Sequence, residues 1–299
     1  MIWLLALQLT VPLGLDAYVP APEANPIRRD VAELGKRLFE DKRLSRDGSV
    51  SCATCHEADR AFTDDKPLAV GLRQRKGHRR TPTIVNRAYG KSFFWDGRAA
   101  TLEEQVVLPI QNPDEMDLTL PEAVNIIKPH YPGIDARQLA SALATYVRTI
   151  LAGNSPYDRY VNGDRTALTP QQLTGLRLFR GKANCASCHV GPNLTDERFH
   201  NTGLAERSKD EGRAAATKKQ EDHGAFKTPT LREVARRAPY MHDGSLATLA
   251  DVIEHYDEGG KRVANADPEM RPLKLTADEK KALTAFLEAF SGDVRHSLP

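Results

Sequence analysis

The chain has 299 residues, about the length of two domains rather than one. Apolar residues make up 40% and charged residues 27%, and the charges nearly cancel to +2. This allows real cores and excludes the strong basic field of a nucleic-acid binder. The first stretch, MIWLLALQLTVPLGLDA (1–17), is apolar and then rich in small residues, the pattern of an export signal. It carries Gln8 and Thr10 and falls short of the ~20 apolar residues of a membrane span, so no transmembrane span is expected. No Lys or Arg precedes Arg28, so the usual positive start of such a signal is missing.

Val31, Leu34, Leu38 and Phe39 space as one face of a helix. The motif CATCH follows at 52–56, and CASCH at 185–189. Together they use Cys52, Cys55, Cys185 and Cys188, which are all four cysteines, so none is left for a disulfide. C-x-x-C pairs also bind zinc or act as redox dithiols. Neither use asks for a histidine directly after both pairs, and the βαβ pattern of a thioredoxin-like dithiol is not seen. C-x-x-C-H is the attachment motif of c-type haem. The two thiols add across the haem vinyl groups, and the following histidine is carried under the ring to the iron. His56 and His189 are therefore the expected proximal ligands, and two covalent haems the expected cofactors.

Further along, RTPTIVNRAYGKSFFWDGRAATLEEQVVLP (80–109) resembles KTPTLREVARRAPYMHDGSLATLADVIEHY (227–256), 147 residues on. GKRLF (35–39) likewise matches GLRLF (175–179). The order helix, haem motif, T-P-T, D-G, A-T-L recurs in both halves. The expected fold is all-α, with two cytochrome c-like haem domains related by internal duplication. The expected bounds are 1–17 for the export signal, 18–160 for the first domain and 161–299 for the second. Thr101 with Glu104 reads as a capping box, Thr248 with Asp251 as a near match, and Thr276 with Glu279 as the start of a last helix bearing Leu283, Phe286, Leu287 and Phe290. The charged stretch 205–223 reads as a solvated loop.

In the repeat, Pro109 and Tyr256 share a slot. Proline has no group that binds iron, whereas a tyrosine phenolate does. The first haem is therefore expected to be open on its distal side and the second capped by Tyr256, with Met241 as the rival ligand. An open c-type haem suits peroxide. Splitting the O–O bond moves a proton from the inner to the outer oxygen. Gln105 stands one helical turn before Pro109, and Glu115 follows in QNPDEM. Trp95, in FFWDGR, is the only tryptophan beyond the leader. An indole between two haems can relay an electron hole. His200, His242 and His255 are expected to be structural or to lie near the second haem, and His78 to be solvated.

These residues resemble the bacterial di-haem cytochrome c peroxidase family, and within it the methylamine-utilisation (MauG-like) group. The motifs that carry the resemblance are SCATCH, RTPT, FWDGRAATLEEQ, NPDEM, CASCH, FKTPTLR, APYMHDGSLATL and EHYDEGG. The resemblance implies two cytochrome c-like domains facing each other. It implies that Glu115 is the distal acid–base, that Gln105 and Pro109 line the distal pocket, that Trp95 lies between the haems and that Tyr256 replaces the usual methionine ligand. A phenolate lowers the reduction potential where a thioether raises it, so the first haem is expected to be open with both irons ferric. The family often holds calcium between its domains, using an Asn before the first T-P and a Thr before P-Y-M. Those positions are Arg80 and Arg237 here, and two cations cannot ligate calcium.

The leading expectation is a periplasmic enzyme that reduces hydrogen peroxide with electrons from a small cytochrome c or cupredoxin. One alternative is peroxide-dependent oxidation of residues on a partner protein. Another is a non-catalytic di-haem electron carrier, which requires two six-coordinate irons.

Overall fold

The computed structural model describes residues 9–204, 209–261, 263 and 265–296. Residues 1–8 of the expected leader lie outside this set. Its later part is joined to the body: the Leu13 carbonyl accepts from the Asn154 N–H (2.8 Å) and the Gly14 carbonyl from Arg232 Nη2 (2.8 Å). Among the described residues no helix is long and apolar enough to cross a membrane.

The fold is helix-rich. Its helices are α1 (Arg29–Glu40), α2 (Cys52–Cys55), α3 (Leu102–Gln105), α4 (Leu108–Gln111), α5 (Leu120–Ile127), α6 (Ala136–Arg148), α7 (Pro156–Val161), α8 (Pro170–Arg180), α9 (Ala214–Thr217), α10 (Leu249–Asp257) and α11 (Ala277–Glu288). Among the described residues, four short strands form two antiparallel ribbons. β1 (Leu151–Gly153) pairs with β4 (Asp293–Arg295), and β2 (Phe199–His200) with β3 (Phe226–Lys227). The period-two signal that betrays a strand needs at least four residues, so these did not register in the sequence.

Two apolar cores organise the chain. In the first, α1 crosses α6, and Phe39 meets Tyr146 edge-on at 5.2 Å. In the second, α8 crosses α11, and Phe179 meets Phe286 at 5.4 Å and Phe290 at 5.7 Å. The glycine of each G-x-R-L-F motif sits at the crossing. A Cβ on Gly35 would lie 1.9 Å from the Ala142 carbonyl oxygen, and one on Gly175 2.1 Å from that of Ala282. Only glycine lets these backbones approach so closely.

The three capping boxes form. Thr101 Oγ1 accepts from the Glu104 N–H (3.1 Å), Thr248 Oγ1 from that of Asp251 (3.1 Å) and Thr276 Oγ1 from that of Glu279 (3.3 Å). Phe290 lies just past the end of α11 but is buried.

The stretch 205–223 departs in part from its reading as a solvated loop. Residues 205–208 lie outside the described set; of the rest, the segment 210–214 docks on the first half, while most of 215–223 is exposed as expected. Arg79 pairs with Asp210 (2.6 Å), Arg213 Nη1 donates to the Asp96 carbonyl (2.7 Å), and Ala214 is buried. The partners are over a hundred residues away in sequence, so charge composition alone gave no sign of this docking.

Candidate active site

A single cavity of ≈ 900 Å³ is lined by Cys55 and His56 from the first motif and by Cys185, Cys188 and His189 from the second. Gln105, Pro109, Glu115, Trp95, Tyr256 and Met241 also line it. Cys52 packs against the first core beside it. All four cysteines are free thiols, and burial pushes Cys52 up to about 12, Cys55 to about 11 and Cys185 to about 12. The structure therefore brings both C-x-x-C-H motifs and every predicted distal residue around one space.

Both histidines are held in the same way. His56 Nδ1 donates to the Phe62 carbonyl (2.9 Å) and His189 Nδ1 to that of Leu194 (3.1 Å). A carbonyl only accepts, so Nδ1 carries the proton and Nε2 keeps a lone pair that a metal could use. Burial lowers the pKa of both rings, that of His189 to about 4, so they stay neutral. Phe62 and Leu194 hold positive φ (57° and 52°), which turns their carbonyls toward the rings.

The T-P-T motifs brace these loops. Thr63 Oγ1 donates to the Thr81 carbonyl (2.6 Å) and Thr83 Oγ1 to that of Ala61 (2.5 Å). In the second half Thr195 Oγ1 donates to the Thr228 carbonyl (2.7 Å) and Thr230 Oγ1 to that of Asn193 (2.6 Å). The sequence flagged the T-P-T threonines as a repeat, but not their bracing role and not their partners Thr63 and Thr195.

On the distal side of the first site, Glu103 of α3 pairs with Arg148 of α6 (2.7 Å), which fixes the helix that carries Gln105. Gln105 and Pro109 do not share one helix, as the sequence implied. The proline ring collides with the carbonyl four residues back and lacks an N–H, so the chain bends at Val106–Val107 and restarts as α4. Both residues still face the cavity. In the other half α10 runs unbroken, and Leu249, Ile253 and Tyr256 form its cavity face. Burial raises the pKa of the Tyr256 phenol, with Cys185 and Cys188 adding to the effect.

Glu115 is half-buried and lines the cavity. Its Oε1 accepts from Asn112 Nδ2 (2.6 Å), and its carbonyl accepts from the Leu72 N–H (3.0 Å). Burial raises its pKa, opposed by Asn112 and Arg98. Trp95 is half-buried, and its Nε1 donates to the Arg80 carbonyl (2.9 Å).

His200 lies between two carboxylates, Asp267 (2.5 Å) and Asp196 (3.0 Å). His242 stacks on Phe226 at 3.6 Å, and His255 Nε2 donates to the Thr202 carbonyl (2.9 Å). His78 is exposed. Arg237 faces the cavity with no hydrogen bond to its buried Nε. That orphaned donor suits an anionic occupant such as a haem propionate. The thiols, the oriented imidazoles and the orphaned Nε of Arg237, whose Nη2 is held by the Thr230 carbonyl (2.5 Å), together fit two haems.

A family model described as di-haem cytochrome c peroxidase matches residues 29–166. The methylamine utilization protein MauG of Methylorubrum extorquens is 41% identical, over 92% of this chain and 82% of its own. The cytochrome c551 peroxidase of Pseudomonas aeruginosa is 35% identical, over 92% and 84%. Among solved structures, a MauG-like protein associated with microbial copper homeostasis superposes with a TM-score of 0.83 at 32% identity, covering 93% of this chain and 94% of that one. On this sequence similarity, spread over nearly the whole chain, the protein belongs to the di-haem cytochrome c peroxidase family.

Proposed function

We propose that this protein is an exported di-haem peroxidase that reduces hydrogen peroxide to water with electrons from a small cytochrome c or cupredoxin. The observation that carries the reading is the difference between the two distal faces: Pro109 at the first and Tyr256 at the second, on one cavity. When bound, the first haem supplies an iron with a free position at which the O–O bond is split, and the second supplies an electron store. Cys52, Cys55 and His56 would hold the first haem. Cys185, Cys188, His189 and Tyr256 would hold the second, and the cavity position of Met241 keeps it as the rival ligand.

Glu115 takes a proton from the inner oxygen of peroxide and returns it to the outer one. Its partial withdrawal from water suits that exchange, because burial brings its pKa up toward neutrality. The Gln105 amide orients the peroxide, and Trp95 lies on the path between the two sites. The matched geometry of the halves supports an origin by duplication. Tyr157 and Tyr160 of α7 pack on the second core, which favours a division between the units just before α7.

The balance is one peroxide, two electrons and two protons giving two waters. Mixing the holoprotein with peroxide and a reduced small cytochrome c tests this. Two donors oxidised per peroxide support the peroxidase, and none oxidised favours the plain electron carrier. A second reading, peroxide-driven oxidation of a partner protein, is favoured by Tyr256 together with the similarity to MauG. It predicts slow donor turnover alongside prompt reaction with peroxide.

A further inference from the structure

The guanidinium of Arg80 is buried, with 4% of its side chain exposed, and Asp64 beside it has none exposed. Five oxygens surround its two terminal nitrogens. From the first half, Nη1 donates to Asp64 Oδ1 (3.0 Å) and the Lys66 carbonyl (2.9 Å), and Nη2 to the Asp64 carbonyl (2.7 Å). From the second half, the Arg237 and Ala238 carbonyls accept from Nη2 (3.0 and 3.2 Å). The backbone of the same residue is engaged at both ends. Its N–H donates to the His242 carbonyl (2.7 Å), and its carbonyl accepts the Trp95 indole (2.9 Å).

A cage of carbonyls and one carboxylate is the ligand set of a hard divalent cation. Calcium requires such oxygens at ~2.3–2.6 Å around an empty centre. Here the planar guanidinium fills that centre, so the calcium site of related chains does not fit this one.

We propose that Arg80 is a built-in cation, replacing a metal ion as the tie between the two halves and holding Trp95 in register. Arg80 is thus a positioning residue, and its effect on reactivity rests on the two-haem reading of the cavity. Arginine keeps its charge at any working pH, so the tie is permanent where a metal tie depends on supply. A lysine has the charge but not the planar fork.

The test uses the holoprotein and three readouts: bound calcium by elemental analysis, thermal melting, and the rate of the Soret change after peroxide. For the wild type, the proposal predicts substoichiometric calcium and no change in melting or rate after chelation. Arg80→Asn opens the cage. It should slow the peroxide response on the order of 100-fold through misplacement of Trp95. Calcium at about 1 mM should restore both melting point and rate, a rescue that a purely structural arginine would not show. Arg80→Lys should fall between and ignore calcium.

One calcium per wild-type chain with a response lost on chelation would overturn the proposal, as would an Arg80→Asn protein that keeps full rate and stability without calcium. If Arg80→Asn does not fold even with calcium, the rescue has failed and the proposal falls. If the wild type does not respond to peroxide at all, the functional reading fails, while calcium content and melting still decide the role of Arg80.

Discussion

Glu115 has the environment that proton transfer needs: half-buried, bonded to one amide, and with its pKa raised by desolvation. A base works only when deprotonated, so activity should rise with pH through a pKa above the ordinary glutamate value. In Glu115→Gln the rate of peroxide consumption should drop by roughly 10²–10⁴-fold, and that acid limb should vanish while the haem spectrum stays. A pH–rate profile of both proteins checks this, and an unchanged limb in the variant would assign it to another group. Tyr256 is the second decisive side chain. Tyr256→Met should raise the potential of the second haem and make the peroxide response wait for one-electron reduction. A spectroelectrochemical titration with identical potentials in both proteins would remove Tyr256 from the coordination sphere.

At the level of elements, the two helix crossings carry the stability. Gly35→Ala gains ~1 kcal/mol of helix propensity but drives a methyl into the Ala142 carbonyl. Overpacking of this kind costs ~1–3 kcal/mol, and the backbone clash puts it at the upper end. Tm should fall by several degrees, and the same holds for Gly175→Ala at its crossing with α11. An unchanged Tm in either variant would mean that the helices separate freely there.

The sequence revealed α1 through its apolar face, α8 through the repeated G-x-R-L-F motif and α11 through its cap, and it revealed the haem motifs through their cysteine spacing, but it gave no sign of α6. It did not reveal why the T-P-T threonines recur. Their hydroxyls reach carbonyls of Ala61 and Asn193, in loops whose likeness (AFTDD at 61–65, NLTDE at 193–197) is too short to stand out without the structure. Nor did it show Phe62 and Leu194 at positive φ, since bulky residues there run against local preference at ~1–2 kcal/mol each. Tertiary bonds to the histidines impose that conformation. The break between α3 and α4 was legible in Pro109 itself, although the repeat alignment masked it.

Across the whole molecule, the halves are joined by buried charge as well as by the ribbon of β1 with β4. Arg87 pairs with Glu197 at 2.7 Å across the interface, with Lys227 3.5 Å from the same carboxylate. Burial alone would raise the pKa of Glu197, but the Arg87 guanidinium reverses this and brings it to about 2. The folded pKa is thus below the unfolded one. The stabilisation is present above about pH 4.5, the ordinary glutamate value, and is lost as pH falls toward about 2. It amounts to on the order of 3 kcal/mol. Tm should decline over that window, and Glu197→Gln should be less stable at neutral pH with a flatter decline. A wild-type Tm that is constant from pH 4.5 to 2 would contradict the assignment.

The proposed function requires one iron to be open while its partner is capped, with both ferric. Adding one equivalent of hydrogen peroxide to the fully oxidised holoprotein and recording the spectrum within seconds addresses this directly. A prompt loss or shift of the Soret band is the predicted result. A spectrum unchanged until an electron is supplied would contradict it and return Tyr256 to the status of an ordinary half-buried tyrosine.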